Sequence, residues 1–286
     1  MNTEKTNYEL LYNPRLVVPD HQQIFDRWES DSERARANLE AYLDVPYGPA
    51  ETEKLDLFRA QGTSRGLLMY VHGGYWRSLD KKRFSFIAPA LVRAGITVAI
   101  PNYALCPTVR VEDIVMQMVQ ACAWLYRNGA NFGAPARRLF VCGHSAGGHL
   151  AAMMLCCQWP RYAPDLPKEV VSAALSISGL YDLTEIVKVP SINNDVRLTA
   201  ESAMKVSPAF MPPATDAPLY TAVGSRENKG FHIQNALIAR KWGKARKADV
   251  SCAGENHFTI LDQFCRSEGK LLGTVLQMMD PGEDPT

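Results

Sequence analysis

The chain has 286 residues, 47% of them hydrophobic, and a net charge of +1. That is enough apolar material for a sizeable core. The balanced charge, without a basic block, argues against nucleic acid as a partner, and no apolar run reaches the length of a membrane span. The seven cysteines are odd in number and sit largely in apolar runs, as with Cys142, Cys156 and Cys157. None falls in a zinc-type spacing, so buried thiols of a reducing compartment are expected, with no metal and no cofactor. The polar stretch at residues 1–9 lacks a signal-peptide apolar region, which adds to the expectation of a cytoplasmic protein.

Residues 1–45 carry few strand signals. Ile24, Phe25 and Trp28, then Leu39, Tyr42 and Leu43, give a partial helical stripe over 20–43, and an N-terminal helical arm is expected there. Lys54 to Phe58 alternates apolar and polar and predicts a strand. Gly66 to Val71 is a continuous apolar run, the mark of a strand buried on both faces of a parallel sheet. It ends in His72-Gly73-Gly74-Tyr75-Trp76. A helix is expected over 84–94, a buried strand over 96–100 and a helix over 110–127. A strand over 139–142 then leads through a tight turn into a helix running to Cys157. Val170 to Ser178 predicts another strand, ending near Asp182. Residues 183–210 read as irregular and polar, with a short helix near 199–204, and as an insertion able to cap a site. A strand over 219–223, a helix over 231–242, a strand over 248–252 and a helix over 259–279 complete the pattern. The tail from Asp280 is expected to be disordered. Strands alternating with helices imply an α/β domain with a mostly parallel, doubly wound sheet and helices on both faces. No internal repeat or linker divides the chain, so one domain over 1–286 is expected.

The turn after Cys142 reads Gly143-His144-Ser145-Ala146-Gly147, an instance of G-x-S-x-G. A serine on so sharp a strand-to-helix turn has strained backbone angles, and the two glycines remove side chains that would collide. The turn lifts the Ser145 hydroxyl clear of the sheet edge and puts the Ala146 N–H at a helix N-terminus, where it can donate to an oxyanion. Such a pattern alone is weak evidence. A serine nucleophile also needs a base, and imidazole suits the task. Of the six histidines, only His257 lies in a loop after the last strand, and the order serine, acid, histidine is that of α/β-hydrolases. The acid that fixes the imidazole tautomer is expected to be Glu227, after the preceding strand, with Asp182 as rival and Asp216 and Asp249 nearby in sequence. His72-Gly73-Gly74 follows a buried strand and supplies a second set of oxyanion donors, Gly73 and Gly74. Tyr75, Trp76 and Phe84 are candidate walls for an aryl group, or core aromatics.

Five stretches together resemble the arylformamidase (kynurenine formamidase) branch of the α/β-hydrolase superfamily: HGGYWRSLDKKRFSF (72–86), PNYALCP (101–107), GHSAGGHLAA (143–152), SGLYDL (178–183) and GENHFTILD (254–262). YNPRLVVPDHQQIFDRW (12–28) and DVPYG (44–48) extend the likeness over nearly the whole chain. The resemblance implies an α/β-hydrolase fold, nucleophile Ser145, base His257, and oxyanion N–H groups from Gly73, Gly74 and Ala146. It places the acid in a VGxxES- or VGxxDS-like stretch, matched by residues 223–228, where Asn228 stands in the family's serine position. It further implies a metal-free serine hydrolase that cleaves N-formyl or short N-acyl arylamines, such as N-formylkynurenine, through an acyl-enzyme, and hence a place in tryptophan catabolism. The alternative is a carboxylesterase for small aryl or alkyl esters. A non-catalytic binding protein of the same fold is disfavoured because both serine and histidine are present. The partners expected are a small aryl amide or ester substrate and, at most, a second copy of the chain as a homodimer, with no nucleic acid and no membrane.

Overall fold

A computed structural model describes residues 6–135 and 138–280. The arm begins with α1 (Tyr8–Tyr12), whose first turn is capped by the Asn7 side chain accepting from the Leu10 N–H. Next comes α2 (His21–Asn38), which buries Ile24, Phe25, Trp28, Ser32 and Ala35, the spacing of one helical face. That face meets Phe84, Phe86 and Phe258, with the Trp28 ring stacked on Phe86 at 5.4 Å.

The helix expected to run to residue 43 stops at Asn38. Leu39 turns extended, and β1 (Ala41–Pro46) pairs antiparallel with β2 (Lys54–Phe58). Tyr42 and Leu43, which completed the helical stripe, are exposed apolar residues of an edge strand (40% and 47%). Their spacing therefore carried no information about a buried face.

The strand β3 (Gly66–Val71) is buried throughout. The single helix expected over 84–94 is instead a 3-10 run at Lys81–Ile87 followed by α3 (Ala88–Arg93), where Pro89 suits the first turn. Then come β4 (Ile96–Pro101), α4 (Val111–Asn128), β5 (Leu139–His144), α5 (Ala146–Leu155), α6 (Trp159–Tyr162) and β6 (Val171–Ile177). They are followed by α7 (Pro190–Val196), α8 (Ala200–Lys205), β7 (Leu219–Gly224), α9 (Lys229–Trp242), β8 (Arg246–Cys252) and α10 (Lys270–Met279). The stretch 183–210 is more ordered than its polarity suggested. It holds α7 and α8 and buries Leu183, Ile186, Val189, Ile192 and Val206 in the main core. The helix expected over 259–279 breaks into a 3-10 turn at Thr259–Phe264 and α10. Gly269 sits at the break, and a Cβ there would collide with the Gln263 carbonyl oxygen. Asp280, expected in a disordered tail, pairs with Arg65 and Arg138. Residues 281–286 lie outside the described residues.

Among the described residues, eight strands form one sheet in the order β1-β2-β4-β3-β5-β6-β7-β8. The pairs β1–β2 and β2–β4 are antiparallel and the rest parallel. Alternate residues of β3 feed different cores, one per face of the sheet. Leu67, Met69 and Val71 join one cluster with Ile114, Met118 and Leu150. Leu68 and Tyr70 join the other with Phe84, Leu261 and Val275. Such a doubly covered parallel sheet leaves the carboxyl ends of its strands as the place for a ligand. His72 to Gly74 follow β3, Ser145 follows β5, Ser178 follows β6, Glu227 follows β7 and His257 follows β8.

Candidate active site

The turn between β5 and α5 is as tight as its glycines imply. Ser145 has φ 57° and ψ −118°, a conformation costly for a residue with a side chain. A Cβ on Gly143 would strike the Gly147 carbonyl, and one on Gly147 would strike the Val71 carbonyl. The Ser145 N–H donates to the Ile177 oxygen at 2.8 Å, tying the elbow to the end of β6. Ala146 opens α5, so its N–H has no partner within the helix.

On the cavity that Ser145 lines, a buried acid–imidazole pair forms between loops. His257 Nδ1 donates to Glu227 Oε2 at 2.7 Å, with the side chains 2% and 0% exposed. A carboxylate only accepts, so Nδ1 carries a ring proton, and it is the neutral ring of this tautomer that leaves Nε2 bare. The second carboxylate oxygen, Oε1, accepts from the Ser178 hydroxyl and the Gly224 N–H, each at 2.7 Å. Ser178 was not singled out from the sequence. Its signal was its place at the end of β6, and its own backbone is strained, at φ 50°. His144 Nε2 donates to the His257 carbonyl at 2.8 Å and so steadies the loop that carries His257. Burial, with His257 alongside, pushes the His144 pKa well below the usual histidine range, so it stays neutral. The rival acids are engaged elsewhere. Asp182 accepts from the Thr184 N–H and hydroxyl, Asp216 pairs with Lys168, and Asp249 pairs with Arg246.

The loop after β3 comes within van der Waals range of the elbow. A Cβ on Gly73 would lie 3.1 Å from the Ser145 Cβ, and one on Gly74, at φ 111°, would overlap the Ser78 carbonyl. Tyr75, Trp76 and Leu79 also hold positive φ, so the loop is wound against its preferences. Its support is His72, whose Nδ1 donates to the Gly73 oxygen at 2.8 Å. The His72 ring is sandwiched between Tyr103 at 4.2 Å and Phe84 at 5.5 Å. Burial lowers its pKa as well.

A cavity of about 130 Å³ opens onto these groups. Ser145, His257, Gly73, Gly74, Tyr75 and Phe84 line it, together with Phe25, Trp28 and Phe258. Trp76, expected as an aryl wall, does not line it. Its indole is fully buried and donates to His149 Nδ1 at 3.2 Å, while His149 Nε2 donates to the Val206 carbonyl at 2.7 Å. The arm contributes a wall that the sequence did not announce, from Asn13, Pro14 and Arg15. Asn228, the departure from the family's serine, anchors that wall. Its Nδ2 donates to the Leu10 carbonyl at 2.8 Å and the Asn13 carbonyl at 3.4 Å, while the Tyr75 hydroxyl donates to the Tyr12 carbonyl.

Residues 68–241 match a family described as having the alpha/beta hydrolase fold. The kynurenine formamidase of Salmo salar is 32% identical over 260 residues, covering 87% of this chain and 85% of that protein. The kynurenine formamidase of Danio rerio is 31% identical, covering 94% and 92%. The chain belongs to the arylformamidase-like α/β-hydrolases. A provisionally named thioesterase of Silicibacter sp. TM1040 has a similar solved structure, with a TM-score of 0.83, 30% identity, and coverage of 93% of this chain and 97% of that one. This arylformamidase-like protein is a hydrolase of amides or esters. No helix among the described residues is long and apolar enough to cross a membrane.

Proposed function

We propose that this hydrolase removes the formyl group, or a short acyl group, from arylamines such as N-formylkynurenine, with Ser145 as nucleophile, His257 as base and Glu227 as the acid. The observation that carries the mechanism is the buried 2.7 Å contact of His257 Nδ1 with Glu227, beside a strained serine elbow on one cavity. The kynurenine formamidases among its relatives support the substrate class.

In this reading Ser145 Oγ attacks the formyl carbon while His257 Nε2 takes the hydroxyl proton. The carbonyl π pair moves onto oxygen, and the N–H groups of Gly73, Gly74 and Ala146 hold that oxyanion. When the intermediate collapses, the C–N bond breaks and His257 gives its proton to the departing arylamine. Water then gives a proton to His257 and attacks the formyl ester, releasing formate and restoring the Ser145 hydroxyl. Amines are poor leaving groups, so the proton from His257 matters more here than for an ester. Phe25, Trp28, Phe84 and Phe258 give the cavity the aromatic lining an arylamine needs. The protein acts in this reading as a cytoplasmic, metal- and cofactor-free enzyme on a small molecule.

The test is a rate series on one aromatic scaffold carrying N-formyl, N-acetyl and N-butyryl groups, beside N-formylkynurenine and p-nitrophenyl acetate. Each added methylene must fit between the elbow and the Gly73–Gly74 loop, and overpacking costs about 1–3 kcal/mol, roughly a five- to hundred-fold loss in kcat/KM. Formyl substrates are expected to lead. Rates flat or rising with acyl length move the enzyme to the short-chain esterases or longer-acyl amidases.

A further inference from the structure

The arm that walls the cavity brings a cation with it. Arg15 lines the same cavity as Ser145, and its guanidinium lies 5.6 Å from the centre of the Phe25 ring. Rings lead from the base to that cation. His257 lies 5.4 Å from Phe258, and Phe258 lies 5.1 Å from Phe25. Arg77 and Arg83 act on Arg15 as like charges. Both of these are neutralised, Arg77 by Asp195 and Arg83 by Glu29 at 2.7 Å. Among the described residues no carboxylate pairs with Arg15. Burial first, then Arg77 and Arg83, pull its pKa below the ordinary arginine value. A guanidinium with no carboxylate partner and an aromatic shelf beneath it is a receptor for a carboxylate.

We propose that Arg15 reads a carboxylate on the leaving-group side of the substrate, so that the site selects anionic aryl substrates over neutral ones. The proposal rests on Ser145 being the nucleophile and deepens the reading above. The acyl carbon sits at Ser145, the ring runs along Phe258 and Phe25, and the carboxylate meets the Arg15 fork. The rest of the arm serves this placement, because Asn228 holds the backbone at Leu10 and Asn13 and Tyr75 holds it at Tyr12.

The experiment uses two substrate pairs, one of formanilides and one of phenyl acetates. Within each pair the acyl group and ring are constant, and a side-arm carboxylate is replaced by a primary carboxamide. The wild type is expected to favour the carboxylate by about tenfold in kcat/KM, which is about 1.4 kcal/mol. Arg15→Met should bring the pair to parity, chiefly through KM, and Arg15→Lys should keep part of the preference. Raising the salt concentration should shrink the wild-type preference. A preference unchanged in Arg15→Met, or parity in the wild type on both pairs, overturns the role of Arg15. Inert formanilides beside phenyl acetates that keep the charge preference overturn the amidase reading and leave Arg15 standing. Formanilides cleaved without regard to charge do the reverse.

Discussion

Replacing Glu227 by Gln changes the hydrogen-bond directions around it as well as its charge. Oε1 faces the Ser178 hydroxyl and the Gly224 N–H, and the backbone N–H can only donate. A glutamine in this place must therefore turn its oxygen toward Gly224. Its NH₂ then points at His257 Nδ1, which is 2.7 Å from the carboxylate in the native protein. Nδ1 has to become the acceptor, and the ring proton moves to Nε2. An Nε2–H imidazole cannot take the Ser145 proton, and the charge that stabilises the imidazolium is gone. Loss of the correct tautomer in a serine triad costs about ten-thousand-fold in kcat, or about 5 kcal/mol of barrier. Glu227→Gln should show that scale of loss in kcat on the best substrate, with little change in KM and with a circular-dichroism spectrum and melting profile like those of the wild type. Asp182→Asn, which disturbs only the contacts with Thr184, should keep most of its activity. A Glu227→Gln enzyme close to wild type, or a dead Asp182→Asn enzyme, would refute the assignment of the acid.

Gly74→Ala should lower kcat by about a hundred- to thousand-fold, the cost of misplacing one oxyanion donor, because φ 111° and the Ser78 carbonyl leave no room for a methyl group. Burst and steady-state kinetics would show it, and a kcat unaffected by the substitution would take Gly74 out of the oxyanion hole. His149 makes a stability prediction. Burial holds its pKa down at about 4 against 6.5 when free, so the native state keeps it neutral while the unfolded chain takes up a proton. Its contribution is thus complete above about pH 6.5 and is lost as the pH falls toward about 4. The full loss is about 3 kcal/mol. Denaturant unfolding across that range should be less steeply pH-dependent in His149→Gln than in the wild type. Equal slopes would mean that His149 does not carry the effect.

The strand ends that carry the candidate site were legible in the chain because they obey local rules. A strand buried on both faces must be an apolar run, and Gly66 to Val71 is one. A serine at φ 57° needs glycines beside it, and Gly143 and Gly147 are there. Topological order then pointed from Ser145 to Glu227 and His257. What the chain could not announce were relations between residues far apart in it. Whether an apolar residue faces a core or lies on an edge strand depends on its neighbours in space, so Tyr42 and Leu43 were read as helix while they lie in β1. Trp76 lies two residues after Gly74, yet a positive φ turns its indole to His149 and away from the cavity. Ser178 meets Glu227 only because β6 and β7 are neighbours in the sheet. Arg15 and Asn228 stand more than two hundred positions apart, and folding alone makes one part of the cavity wall and the other the anchor that holds that wall in place.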